Sequence, residues 1–175
     1  MNKGLELRMY GLVNYQLTGI QQGIQFGHAV VEYSQIFKND KKYNNWANHW
    51  KTFIILNGGT TNTNIIKLGT LNKHLETLKS NDVDLACFME PDLGDQLTAV
   101  CFIVDERVFN REKYPDFEEW VCAEMEDISY FKGSSNFYSI IKDLKGSEKY
   151  NKWIQFIGGE KNLFLREFLR NFRLA

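Results

Sequence analysis

The sequence predicts an α/β fold: a small mixed, mostly parallel four-stranded sheet flanked by helices, followed by a helical C-terminal extension. Three observations predict it. Strand-like apolar runs alternate with helical patterns over the first part of the chain, the signature of βαβ units. The third and fourth strand-like runs are joined only by Pro91-Asp-Leu-Gly-Asp95, which suits an antiparallel return. The composition then shifts. Asp105 to Asp127 holds nine acids against three bases, a net of −6, and Lys161 to Ala175 holds four bases against one acid, a net of +3. The expected organisation is an α/β domain over 1–105 and a helical extension over 106–175 packed on it.

Leu7 to Tyr15 is rich in strand formers and reads as the first strand. Thr18-Gly-Ile-Gln21 has the form of a capping box, and a helix follows to about Phe37. Its apolar positions Ile20, Ile24, Val31 and Phe37 alternate with a polar line of Gln21, Gln25, His28 and Glu32. Gly19, Gly23 and Gly27 recur every four residues there, and each interior glycine costs a helix about 1 kcal/mol relative to alanine. Such a row predicts close approach of a strand, a helix or a ligand, with helix–sheet packing as the plain expectation. Lys38 to Lys51 reads as a short helix or loop with Trp46 and Trp50 half-buried. Thr52 to Asn57 is a second strand and Gly58 to Asn64 a loop. Leu71, Leu75 and Leu78 mark a helix over Gly69 to Ser80; Asp84 to Glu90 and Leu97 to Asp105 are the third and fourth strands. Near the end, Phe164, Leu165, Phe168, Leu169 and Phe172 form the apolar face of a docked terminal helix. Arg166, Arg170 and Arg173 lie on another side of it, where they would pair with the acidic segment or clamp a phosphate.

A chain of 175 residues that is 43% hydrophobic can build one compact core with an appendage. The net charge of −1 shows no basic excess, so a long nucleic acid is not the default partner. Three cysteines without a CxxC pair give no disulfide framework; Cys87 and Cys101 read as buried thiols, and a cytoplasmic location is expected. Met1 to Arg8 has no apolar signal core, and no apolar stretch is long enough to span a bilayer, so no membrane partner is expected. His28, His49 and His74 are scattered, so no metal site is expected, and no cofactor is called for.

In open α/β sheets ligands bind beyond the carboxyl ends of the parallel strands. Here those ends deliver Asn14, Tyr15 and Thr18 from the first strand, Asn57 with Thr60, Thr61 and Asn62 from the second, and Glu90 with Asp92 from the third. The antiparallel fourth strand starts at the same edge and brings Thr98. Such a crevice offers amides, hydroxyls and two carboxylates. The helix start at Thr18–Gln21 and a Gly-Gly-Thr-Thr nest could hold an anion. Neither a Walker A nor a GxGxxG motif is present, so the pattern suggests a nucleotide-like site without naming one.

Gln21-Gln-Gly-Ile-Gln25-Phe-Gly-His28-Ala29-Val-Val-Glu32 resembles the helix motif of the peptidyl-tRNA hydrolase 2 family. Glu90-Pro91-Asp92-Leu93, followed by Leu97-Thr98-Ala99-Val100, resembles the EPDL…LTA signature of its divergent bacterial and phage-associated members. The resemblance covers residues 7 to 105. It implies a small sheet flanked by helices and a site that cleaves the ester of peptidyl-tRNA. It places the family's threonine on Thr98, its acidic group on Asp92 or Glu90, and its lysine position on Gln21. A neutral amide at Gln21 cannot supply the positive charge that would hold a phosphate or stabilise an oxyanion. The expectation is therefore a nucleotide-derived small ligand held with little or no turnover. Its site would comprise Asn14, Tyr15, Thr18, Gln21, Gln25, Asn57, Thr60, Thr61, Asn62, Glu90, Asp92 and Thr98, closed by Arg166 or Arg170. Thr18 and the loop would face phosphate, and Asn62 and Glu90 sugar or base. One concrete form is a phage-type protein that sequesters a nucleotide immune signal. The alternative is a peptidyl-tRNA or aminoacyl-tRNA hydrolase, in which Gln21 orients water or substrate and Asp92 with Thr98 assists the attack. The extension could close over the crevice, build a homodimer or recruit a partner.

Overall fold

The computed structural model describes residues 4–62, 65–125 and 132–175. The chain divides into two compact units: the described residues up to Glu106 together with Leu169–Ala175, and Arg107–Phe168.

The first unit holds the sheet. Its strands are β1 (Leu7–Asn14), β2 (Thr52–Gly59), β3 (Leu85–Glu90) and β4 (Gln96–Asp105), in the order β2-β1-β4-β3. β1 pairs parallel with β2, and β4 runs antiparallel to both β1 and β3. The mixed four-stranded sheet and the antiparallel fourth strand are as the sequence predicts. β1, β2 and β3 share one direction, yet only one neighbouring pair is parallel, because β4 lies between β1 and β3. The two central strands are buried on both faces, which is why they read as unbroken apolar runs rather than as alternation.

Helix α1 (Gly19–Ile36) covers one face of the sheet. The capping box forms: the Gln21 N–H donates to Thr18 Oγ1 (3.4 Å) and the Thr18 N–H to Gln21 Oε1 (3.0 Å). The inward face differs from the expected one. Gln25, Phe26, Ala29 and Tyr33 are buried, whereas Ile20, Ile24 and Val31 point to solvent. Close packing decides this. A Cβ on Gly11 of β1 would stand 2.3 Å from the Phe26 ring, so the strand's missing side chain admits the helix's aromatic one. The glycine row does not pack on the sheet, since nothing comes within 4 Å of a Cβ built on Gly19, Gly23 or Gly27. After α1 come α2 (Lys41–Asn45) and a single π-turn at Trp46–Trp50. Trp46 is fully enclosed, deeper than expected, and donates its indole N–H to the Thr52 carbonyl at 3.2 Å.

Helix α3 (Thr70–Ser80) lies on the opposite face and buries Leu71, Leu75 and Leu78. The last residues return to the edge of β2. The Asn57 N–H donates to the Arg173 carbonyl and the Ala175 N–H to the Ile55 carbonyl, around a Leu56–Leu174 bridge. The C-terminal seven residues thus belong with the sheet and not with the extension, and Phe172 lies outside the terminal helix, against His74 (4.8 Å).

The second unit is helical: α4 (Glu106–Phe109), α5 (Phe117–Glu124), α6 (Ser135–Leu144), α7 (Glu148–Phe156) and α8 (Glu160–Leu169), the bounding residues Glu106 and Leu169 falling to the first unit. Phe117, Val121, Phe137, Ile141, Trp153, Ile154 and Ile157 form its own core. Ser134 and Ser147 cap α6 and α7 by accepting the Phe137 and Tyr150 N–H groups. Of the acidic stretch 105–127, Glu126 and Asp127 lie outside the described residues. Among the described residues no helix is long and apolar enough to cross a membrane.

Candidate functional site

The carboxyl ends of β1, β2 and β3 and the start of β4 share one edge of the sheet. The expected single crevice there is two separate arrangements. The first centres on Thr98. In the β3–β4 ladder Phe88 faces Ala99 and Met89 faces Leu97, so Thr98 is the extra residue of a β-bulge. A bulge re-aims a side chain. Here the Thr98 hydroxyl donates to Gln25 Oε1 of α1 at 2.7 Å, with a longer contact to the Phe88 carbonyl at 3.3 Å. The other end of the Gln25 amide donates to Glu90 Oε2 at 2.5 Å. Glu90 Oε1 in turn accepts the Asp92 N–H at 3.4 Å. Thr98 has no exposed surface and Gln25 is 8% exposed. This chain of polar groups ties α1 to β3 and β4. It contains no imidazole or amine that could take the hydroxyl proton, and a side-chain amide does not relay one.

The second arrangement is a cavity of about 450 Å³ lined by Gln16, Thr60, Thr61, Asn62, Lys67, Leu68, Gly69, Thr70 and Lys73. A close clasp between the loop after β2 and the start of α3 builds it. The Thr60 N–H donates to Thr70 Oγ1 (2.8 Å), the Leu71 N–H to the Thr60 carbonyl (2.9 Å) and the Gly69 N–H to the Asn62 carbonyl (3.0 Å). Asn72 Oδ1 receives both the Asn62 N–H (2.9 Å) and the Thr61 hydroxyl (3.1 Å). Three glycines make the clasp possible. A Cβ would meet Leu71 at 2.7 Å on Gly58, Thr70 Oγ1 at 1.9 Å on Gly59, and the Asn62 backbone at 2.5 Å on Gly69. The expected nest does not form, because the N–H groups of Gly59, Thr60 and Asn62 are taken by Asn57, Thr70 and Asn72. Positive charge in the cavity comes instead from Lys67 and Lys73, neither of which makes an ion pair among the described residues.

Of the residues expected from sequence, Thr60, Thr61 and Asn62 line the cavity, and buried Gln25 and Thr98 with half-buried Glu90 form the polar chain. Thr63 and Asn64 of the loop lie outside the described residues. Thr18 and Gln21 are held by each other in the capping box and do not line this cavity. Asn14 is buried and accepts the Gln16 N–H, and Asn57 accepts the Gly59 N–H; both side chains serve their own turns. Tyr15 is exposed, and Asp92 stands exposed on the 3-10 turn Pro91–Leu93, so the expected Asp92–Thr98 pair is not assembled. Arg166 is not a ligand clamp. It is buried in the second unit, donating to the carbonyls of Arg107 and Tyr114 and to Asp116 (2.7 Å), and it stacks over Trp153. Pairing with the acidic segment is the use the sequence puts beside the clamp, and Asp116 provides it. Arg170 is exposed in the first unit and does not line the cavity. Gln16, Lys67, Thr70 and Lys73 are the residues that sequence reasoning missed. Their signal was faint: two lysines six residues apart that bracket a helix start beside a threonine-rich loop.

The thiols of Cys87 and Cys101 are not poised for chemistry. Burial pushes the Cys101 thiol up to about 12, and burial also raises Cys87, so neither is a thiolate near neutrality. His28 stacks flat on Phe88 at 4.5 Å. Among the described residues no three His, Cys, Asp or Glu side chains gather in a way that could hold a metal ion. No family model matches the sequence, and no curated protein matches it.

Proposed function

We propose that the first unit binds a nucleotide-derived small ligand with little or no turnover, in the cavity between the β2–α3 loop and Gln16. The carrying observation is the cavity's pair of lysines, without ion-pair partners among the described residues, set among threonine hydroxyls and carboxamides at the carboxyl edge of a parallel strand pair. Lys67 and Lys73 would face phosphate, and Asn62 and Gln16 sugar or base. A volume of about 450 Å³ lies in the range of small-ligand sites, about 300–1,000 Å³. The Thr98 hydroxyl, committed to an amide carbonyl and shut off from solvent, supports binding without chemistry. Together with the neutral Gln21, it is consistent with a divergent peptidyl-tRNA hydrolase 2-like domain that has kept the scaffold and not the reaction.

The test is mass spectrometry of small molecules released on heating after incubation with a nucleotide-rich lysate. The expected result is one intact nucleotide-type compound in stoichiometric amount, lost in a Lys67→Gln/Lys73→Gln variant. Nothing retained by the unaltered protein overturns the reading. The bulge that turns Thr98 toward Gln25 and Glu90 favours the second reading, a tRNA-ester hydrolase. Cleavage of a peptidyl-tRNA model that disappears in Thr98→Ala would establish it in place of the first.

A further inference from the structure

Helix α1 is apolar on two sides. One side, with Phe26, Ala29 and Tyr33, is buried against the sheet. The other carries Ile20, Ile24, Gly27 and Val31, and its three large residues are 80%, 52% and 52% exposed. At 3.6 residues per turn these four positions fall within a stripe about 60° wide. A surface helix needs one apolar stripe; a second, left in water, marks a face that another body covers.

We propose that this face docks against the same face of a second copy, forming a weak two-fold dimer. Charge selects that occupant. From Met9 to Phe37 the only formally charged residue is Glu32, in a chain of which a quarter is charged. Against a charged partner, this face would strip water from ions and return no counter-charge. Against its own copy it strands no charge and meets no like-charge repulsion. Relief selects it too. Gly19, Gly23 and Gly27 form a row at four-residue spacing beside the Ile20–Ile24 row, and open space lies over all three glycines. Helices crossing at about −50° interdigitate rows of this spacing, and a helix with ridge and groove side by side satisfies both halves of a symmetric contact. The helix is about 27 Å long. One such face buries less than the standard interface of about 800 Å² per partner, so the dimer forms only as concentration rises. None of the cavity-lining residues belongs to this face.

The test is sedimentation equilibrium of the whole chain from low micromolar to near-millimolar concentration. The weight-average mass should rise from 20.5 kDa toward twice that value. Ile24→Glu and Val31→Glu should each hold the protein at the monomer mass with an unchanged melting temperature. An equimolar mixture of Ile24→Glu and Ile24→Lys should recover the dimer. A monomer at every concentration overturns the proposal. So does a dimer that survives both glutamate variants. So does a marked fall in melting temperature in those variants, which would mean that the chain covers this face itself.

Discussion

The hydroxyl of Thr98, the amide of Gln25 and the carboxylate of Glu90 act as one unit, because each fills a partner's hydrogen-bonding need and the Thr98–Gln25 end lies away from bulk water. Thr98→Val keeps the shape and removes the donor, leaving Gln25 Oε1 enclosed without a partner. The expected loss is about 1–3 kcal/mol in urea unfolding, most of it restored in Thr98→Ser. A Val variant as stable as the parent would show that the amide is satisfied by water. Arg166 is held more tightly still, by two carbonyls and Asp116. A lysine has one ammonium group and cannot span the fork of a guanidinium. Arg166→Lys should destabilise the second unit toward the lower end of the usual 3–5 kcal/mol for a broken buried pair, about 3 kcal/mol, because Asp116 is partly exposed and keeps Arg111. Trp153, against which Arg166 stacks, gives the fluorescence signal for that transition. From sequence, Thr98, Gln25 and Glu90 were legible as polar groups delivered to one edge of the sheet, while Arg166 read as a surface cation. Spacing shows that an arginine follows a helical face; it does not show which carbonyls turn inward to meet it.

Elements were legible where local chemistry alone fixes them. Thr18 and Gln21 define the start of α1 by their own hydrogen bonds, and the short Pro91–Asp95 connection forces the return of β4. Orientation was not legible. The helical period of α1 admits two apolar faces, and the choice between them rests on the fit of Phe26 over Gly11, two residues that only the folded sheet brings together. The glycines sort by the same logic. Gly59 has φ +86° and faces Thr70, so Gly59→Ala combines a disfavoured backbone with a clash. It should open the clasp between the loop and α3, lower stability by about 1–3 kcal/mol and abolish ligand retention. Gly23 and Gly27 are the opposite case, helical and unencumbered. Gly23→Ala and Gly27→Ala should each stabilise the monomer by up to about 1 kcal/mol through helix propensity alone. If the glycines persist because two helices approach across them, the same substitutions should weaken self-association while raising the melting temperature.

On the scale of the whole molecule, the domain boundary read from composition placed all of 106–175 outside the α/β domain, yet the final residues lie along β2. An edge strand pairs through backbone groups, which leave no side-chain pattern to read. Among the tail's side chains, Phe172 packs against the half-buried His74 of α3. Burial lowers the pKa of His74 below its usual 6.5. The folded state therefore favours the neutral imidazole, while the unfolded chain protonates at the ordinary value, about 6.5. The stability tied to His74 is full above that value and is lost as pH falls through the folded one. The consequence is read at the sheet edge, where the tail is held by the backbone hydrogen bonds of the Asn57 and Ala175 N–H groups. Between about pH 7.5 and 5.5, a window above the ordinary carboxylate range, the amides of Asn57 and Ala175 should lose protection against hydrogen exchange beyond the change in intrinsic rate. His74→Phe keeps the aromatic contact and removes the charge, so its protection should stay flat across the same window. Equal loss of protection in both proteins would place the acid sensitivity elsewhere than at His74. Loss confined to the parent would show that one histidine governs whether the far end of the chain stays seated on the sheet.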